Sequence, residues 1–146
     1  MKTIALIVLM LASSGLSAAQ LYTENSKQGE SVDDFVLRIA PRAVAYTMKH
    51  NVEVCGMIAK GTEGYTLAVS TDSMNNACTI AVPVGSIGVT FHTHPSPIAF
   101  KFHDKDFAMQ GYLGTVRGVR FQNGVGTEKF IGRYPEHVSK KLISGL

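Results

Sequence analysis

Apolar and polar residues alternate along this chain with two periods, one typical of helices and one typical of strands. An apolar stripe at helical spacing runs from Val32 to His50. Ser31 precedes it as an N-cap, and Asp33 and Asp34 lie in the first turn, where the helix dipole favours negative charge. Pro41 interrupts the stripe, so we expect a broken or kinked helix, or a second helix that starts at Pro41.

Several shorter stretches rich in apolar and β-branched residues predict strands, and two more predict short helices. Turn signals at 61–64 and at Asn123-Gly124 indicate hairpins. Because the chain shows no repeat, low-complexity segment or linker, these elements predict a single α+β domain with a mixed sheet. The predicted strands are 52–59, 65–70, 77–82, 87–92, 115–122 and 127–134, and the predicted short helices are 106–113 and 136–142.

The first residues of the chain have the pattern of a signal peptide. Lys2 supplies a positive charge, residues 4–12 are apolar, and Ser17-Ala18-Ala19 offers small residues for cleavage after Ala19. The alternative is an uncleaved membrane anchor, but nine apolar residues fall short of the roughly 20 that span a bilayer. The predicted organisation is a signal peptide (1–19), a loose polar leader (20–30) and one domain (31–146).

Charge and hydropathy exclude some classes of partner. Cleavage would leave 127 residues, the size of one domain, with 13 Lys and Arg against 11 Asp and Glu. No basic run or aromatic-interleaved patch is present, so the sequence predicts no nucleic-acid partner. No second long apolar segment follows, which predicts no stable membrane insertion after cleavage and a periplasmic or secreted product.

The two cysteines, Cys55 and Cys78, both fall in apolar, strand-like runs. Export would place them in an oxidising compartment, where a disulfide between them would stabilise a small domain. Two buried free thiols are the alternative. We favour the Cys55–Cys78 disulfide.

The most informative stretch begins with a short apolar run, 87–91, that ends in His92, Thr93, His94 and Pro95. Alternate residues of a strand share a face, so the two histidines should project the same way. Two imidazoles and a nearby carboxylate would make a three-ligand zinc site with a free position for water.

A cluster of His103, Asp104 and Asp106 follows and can supply the carboxylate. Hydrolysis also needs a separate carboxylate that accepts a proton from the attacking water, and Glu53 in the first predicted strand is the candidate. The alternative is that the histidines end a strand at the surface, that Glu53 is a solvated charge, and that the aspartates cap a helix.

These residues resemble the JAMM (Jab/MPN) zinc metalloprotease family, whose pattern is a strand-borne Glu, then His-x-His-Pro, then Ser-x-x-Asp. Glu53-Val54-Cys55-Gly56 is similar to the first element, and His92-Thr93-His94-Pro95 matches the second. The resemblance covers residues 32–134 and implies an MPN/cytidine-deaminase-like mixed β-sheet flanked by helices. It implies that the predicted domain, 31–146, is a JAMM/MPN-like metalloprotease domain. It also implies one Zn²⁺ ion bound by both histidines and an aspartate, with Glu53 as general acid/base.

The third element departs from the pattern. The usual aspartate position, eleven residues after the second histidine, holds Lys105, which cannot bind a metal, and the serine position holds Phe102. One additional loop residue, which a loop tolerates well, instead places His103 at the serine position and Asp106 at the aspartate position. We therefore prefer Asp106 to Asp104 as the third ligand.

His103 would then replace the serine that steadies the oxyanion in the family. An imidazole can donate a hydrogen bond there, which makes His103 a candidate catalytic residue beside Glu53. It could instead occupy the fourth metal position, which would leave the zinc structural.

The predicted function is that of an exported zinc-dependent peptidase or isopeptidase that acts on a peptide or protein, such as an envelope protein or a peptidoglycan peptide. One alternative is a catalytically inactive MPN-like binding module. Another is a delivered antibacterial effector, because 102–107 followed by 111–115 resembles a bacterial branch of the family found at the ends of Rhs-type toxins.

Overall fold

Seven strands pair into one mixed sheet, accompanied by two helices, so the chain is a small α+β domain, as predicted. The computed structural model describes residues 18–145. The elements are β1 (Ala19–Asn25), α1 (Val32–His50), β2 (Cys55–Gly61), β3 (Gly64–Thr71), β4 (Ser86–Thr93), a 3-10 helix (Asp104–Ala108), β5 (Gly111–Thr115), β6 (Gly118–Gln122), β7 (Lys129–Arg133) and α2 (Glu136–Ser144). The strands lie side by side in the order β1-β3-β2-β4-β5-β6-β7. Neighbours are antiparallel except for the parallel pair β4 and β5.

Helix α1 begins and ends as its sequence predicts. The Ser31 hydroxyl accepts the Asp34 backbone N–H, and Asn51 closes the helix in the left-handed conformation at φ 54°. Of the alternatives for Pro41, a break and a second helix are wrong, because α1 is one helix of 19 residues with Pro41 inside it. Buried residues of one stripe, from Phe35 to Met48, flank the proline on both sides. Their burial offsets the roughly 3 kcal/mol that an interior proline costs.

The two faces of the sheet have different coverings. On one face, Phe91 of β4, Leu67 of β3 and Val119 of β6 pack with α1 in the hydrophobic core and are fully buried. Thr90 and His92 alternate with Phe91 along β4 and line a pocket on the other face. The core therefore stabilises the strands from one side and leaves the other side for polar chemistry.

Two segments before β4 differ from prediction. The leader 20–30 was expected to be loose, but β1 lies at its start and pairs with β3 as an edge strand. The predicted strand 77–82 is wrong, because these residues lie in the irregular loop 72–85. Both edges of β2 are already occupied, by β3 and by β4, so the run finds no strand to pair with there.

The predicted helix 106–113 is also wrong beyond its first residues. The 3-10 helix ends at Ala108, and β5 starts at Gly111. A side chain at Gly111 would collide with the hydroxyl of Thr90, so the glycine permits the close parallel pairing of β5 with β4. The predicted strand 115–122 is confirmed for β6 (Gly118–Gln122), but its first residue, Thr115, ends β5, and a turn lies between the two strands.

The predicted signal peptide falls almost wholly on residues 1–17, which lie outside the described residues, so its cleavage stays a prediction. Between residues 18 and 145, neither helix has the length and apolar character needed to span a bilayer.

The predicted disulfide is confirmed. Cys55 bonds Cys78 with their Cα atoms 6.0 Å apart. Cys55 lies in β2, in register with Ser70 of β3 and His92 of β4. The bond therefore fastens loop 72–85 to the centre of the sheet, directly beside the first histidine.

We expect Cys55→Ala/Cys78→Ala to lower the free energy of unfolding by about 3 kcal/mol, because the bond closes a loop between residues 23 apart in the sequence. Urea unfolding followed by circular dichroism measures the change. Wild-type protein in dithiothreitol should unfold at the same urea concentration as the variant. An unchanged midpoint in both would show that the bond contributes nothing to stability.

Candidate metal centre

The two predicted histidine ligands lie on the same face at the end of β4. The residue between them, Thr93, points the other way: its hydroxyl bonds the Thr47 hydroxyl of α1 and accepts the Val54 backbone N–H. Anchoring Thr93 to the core side turns His92 and His94 to the opposite side. Their Nε2 atoms lie 3.2 Å apart, and both rings are buried.

Asp106 completes the group from the 3-10 helix. Its Oδ2 atom lies 3.3 Å from His92 Nε2 and 3.4 Å from His94 Nε2. The Gln122 side-chain amide of β6 fixes the 3-10 helix against the sheet by donating to the carbonyls of Asp106 at 2.9 Å and Met109 at 2.6 Å. Asp104 is exposed and does not join the group, so the structure brings together His92, His94 and Asp106, the three predicted ligands.

The spacing of these atoms fits a tetrahedral metal site. Bonds of 2.0–2.1 Å at tetrahedral angles place neighbouring ligand atoms about 3.3 Å apart. The three observed separations are 3.2, 3.3 and 3.4 Å, so three ligand atoms already occupy three corners of such a site. Two imidazoles and one carboxylate suit zinc, and the same donor set also suits ferrous iron.

The electrostatics favour an ionised carboxylate. Burial alone would raise the pKa of Asp106, but hydrogen bonds from His92, His94 and the His103 backbone N–H hold that pKa well below its usual range. A metal ligand must be deprotonated, and Asp106 meets that requirement at physiological pH. On the outer side of the site, His94 Nδ1 is buried and finds no hydrogen-bond partner within residues 18–145.

Glu53 lies just before β2 with only 4 % of its surface exposed. Its backbone N–H donates to the Met74 carbonyl at 2.7 Å, and its carbonyl accepts the Thr71 hydroxyl at 2.7 Å. Its carboxylate is not one of the three converging ligands, but it lines the same pocket of about 310 Å³ as His92 and Asp106. The predicted proton acceptor thus shares one cavity with two of the three predicted metal ligands, His92 and Asp106.

The sequence excludes Lys105 as a metal ligand and indicates no other role for it. In the structure it lines the pocket, with Nζ 3.8 Å from Glu53 Oε1 and in contact with the Asn76 carbonyl of loop 72–85. Nothing in the local sequence indicates this pairing, because Glu53 and Asn76 belong to distant segments of the chain.

His103 lies outside this pocket, and its side chain is exposed. Its ring stacks on His94, with centroids 4.3 Å apart and planes inclined by 8°. The neighbouring Phe102 is buried, with its ring 5.9 Å from that of His92. These two side chains therefore buttress the histidines from outside the cavity.

We expect the protein to bind about one zinc ion. Asp106→Asn should weaken that binding at least about 100-fold, because the loss of a residue that only hydrogen-bonds a metal ligand already lowers metal affinity 10–100-fold. The asparagine keeps an acceptor for the His103 N–H. Asp104→Asn is the matched control and should retain wild-type affinity. Competition with a fluorescent zinc chelator measures both, and loss of zinc from Asp104→Asn alone would contradict the assignment.

The chain matches no protein-family model, no curated protein and no solved structure.

Proposed function

We propose that this protein is an exported zinc-dependent peptidase or isopeptidase of the JAMM (Jab/MPN) type. One observation carries the proposal: a buried His92-His94-Asp106 group, spaced for a metal ion, borders a cavity that also contains the buried carboxylate of Glu53. A purely structural metal site has four protein ligands and no need of an adjacent cavity with a carboxylate.

Zinc bound by these residues would supply a water with a pKa near 7 and a Lewis acid for the substrate carbonyl. Residues of the chain carry out the proton transfers and stabilise the developing charge. Glu53 takes the proton of the attacking water at a carboxylate oxygen and passes it to the nitrogen of the leaving amine. Its burial suits this role, because the cavity shields the transferred proton from solvent.

Lys105 has two parts in this proposal. Its ammonium group, 3.8 Å from Glu53 Oε1, orients the carboxylate. It is also a donor in the cavity for the negative charge that develops on the carbonyl oxygen. We therefore assign the stabilisation of the oxyanion to Lys105 instead of His103, because His103 stacks on His94 outside the cavity. His103 then holds the ring of His94 in its orientation.

The Cys55–Cys78 disulfide supports the proposed location in the periplasm or outside the cell, because disulfides persist in oxidising compartments. The walls of the cavity, which include Ala77, Ile80 and Met109, are largely apolar. They suit an apolar side chain next to the scissile bond of a peptide substrate, such as an envelope protein or a peptidoglycan peptide.

We expect Glu53→Gln to lower the rate of peptide hydrolysis by about 10²–10⁴-fold and to leave zinc binding unchanged, because only the proton acceptor is removed. Hydrolysis of a quenched-fluorescent peptide library by the zinc-loaded protein measures the rate. Equal rates in wild type and variant would exclude Glu53 as the base. Tight zinc binding with no hydrolysis in either would favour the inactive binding module.

Lys105→Met and His103→Phe separate the two candidates for the oxyanion role. We expect Lys105→Met to lower kcat by about 10²-fold, the usual cost of one oxyanion donor, with zinc affinity unchanged. His103→Phe retains a ring that can stack on His94 and should keep kcat near that of the wild type. The opposite ranking of the two variants would return the oxyanion role to His103.

A further inference from the structure

One row of paired residues crosses the sheet from the metal centre towards its far edge. His92 of β4 is in register with Leu113 of β5, and Leu113 is in register with Arg120 of β6. Directly paired residues share a face of the sheet, so Arg120 lies on the same face as His92, two strands away. At 4.7–4.9 Å per strand, that separation is about 10 Å.

Arg120 is one of three arginines in a pocket of about 410 Å³. Arg117 comes from the turn between β5 and β6, and Arg133 comes from the end of β7. The Arg117 guanidinium lies over the Phe100 ring at 4.3 Å, and that of Arg133 lies over the Phe130 ring at 5.7 Å. Stacking on an aromatic ring limits the motion of a guanidinium, so a ligand meets donors that are already oriented.

The pocket has more positive than negative charge. Within residues 18–145, the only carboxylate within 4.0 Å of these guanidinium groups is Glu128, at 3.5 Å from Arg120 Nη2. The Nε atom of Arg120 is buried and has no acceptor in the described part of the chain. Arg38 is different, because Glu30 binds it at 2.7 Å. Three guanidinium cations share one neighbouring carboxylate, so the pocket keeps a net positive charge that an oxyanion would neutralise.

We propose that this arginine pocket binds a carboxylate of the substrate, about 10 Å from the bond cleaved at the metal centre. The anion site itself follows from the three arginines, and only its part in substrate recognition rests on the proposed function. An extended peptide advances about 3.3 Å per residue, so the carboxylate would lie about three residues from the scissile bond. An acidic side chain or a free C-terminus supplies that group.

The anion site is tested first on zinc-free protein. Acetate and inorganic phosphate are titrated at constant ionic strength while NMR follows the Nε–H signals of the arginines. We expect saturating shifts at millimolar acetate for Arg117, Arg120 and Arg133. Arg38 and Arg42 are internal controls, since glutamates already bind them at 2.7 and 2.9 Å. Equal, non-saturating shifts at all five arginines would overturn the site, and saturation by phosphate alone would overturn the carboxylate assignment.

Variants assign the shifts to the pocket. Arg117 and Arg133 are exposed, so Arg117→Gln/Arg133→Gln should fold normally, which a thermal melt verifies. We expect this variant to lose the saturating shift of Arg120. Asp106→Asn, which alters the metal centre instead, should keep it. Retention of the shift in the double variant would contradict the proposal.

The role in substrate recognition is tested on zinc-loaded protein with two hydroxamates that differ only at the end of a linker of about 10 Å. One ends in a carboxylate and the other in a carboxamide. We expect the carboxylate compound to bind about tenfold tighter and to lose that advantage in Arg117→Gln/Arg133→Gln but not in Glu53→Gln. Equal affinities would overturn the substrate role. If neither hydroxamate binds, the proposed zinc chemistry and the substrate role both fail, and the acetate titration still decides the anion site.

Discussion

Strand β4 lies between two strands that fix its register, and the arrangement of the candidate site depends on that constraint. β2 pairs with it on one side and β5 on the other, and both partners reach His92. At the next residue, Thr93 bonds α1 and the Val54 backbone. A shift of one residue would exchange the two faces, burying both histidines in the apolar core and turning Thr93 into the cavity. The hydrogen bonds of the threonine thus oppose any register other than the one that presents two imidazoles to the same side.

One face of the sheet contributes most of the stability of the domain, and the opposite face carries the candidate site. The α1 face buries apolar side chains almost completely, which is where the domain gains most of its hydrophobic stabilisation. The other face is covered by loop 72–85 and the 3-10 helix instead of a long helix. Its buried charges would be costly alone, and each is offset locally: Asp106 by both histidines, and Glu53 by Lys105. The disulfide and the Gln122 amide hold these covering segments in place.

Sequence reasoning succeeded where short spacing and local chemistry determine position. His92 and His94 share a face because they are two residues apart in a strand, and the caps of α1 follow from Ser31 and Asn51. It failed where a segment's structure depends on its neighbours. Residues 77–82 have the composition of a strand but no free edge beside them, and residues 111–115 form β5 only because β4 and β6 lie on either side. Short apolar runs do not distinguish these outcomes.

The residues of the candidate site can be identified from the sequence alone: two histidines at alternate strand positions, nearby aspartates, an upstream glutamate and a pair of cysteines able to bond. The fold alone brings Asp106, and not Asp104, beside the two histidines, places His103 outside the cavity, and pairs Lys105 with Glu53. It also gathered three arginines from β6, β7 and the turn before β6 into one pocket. The physical reason is the same in each case. Local spacing sets the direction of a side chain along one strand, whereas contacts between distant segments depend on which strands pair and on how the loops pack over them.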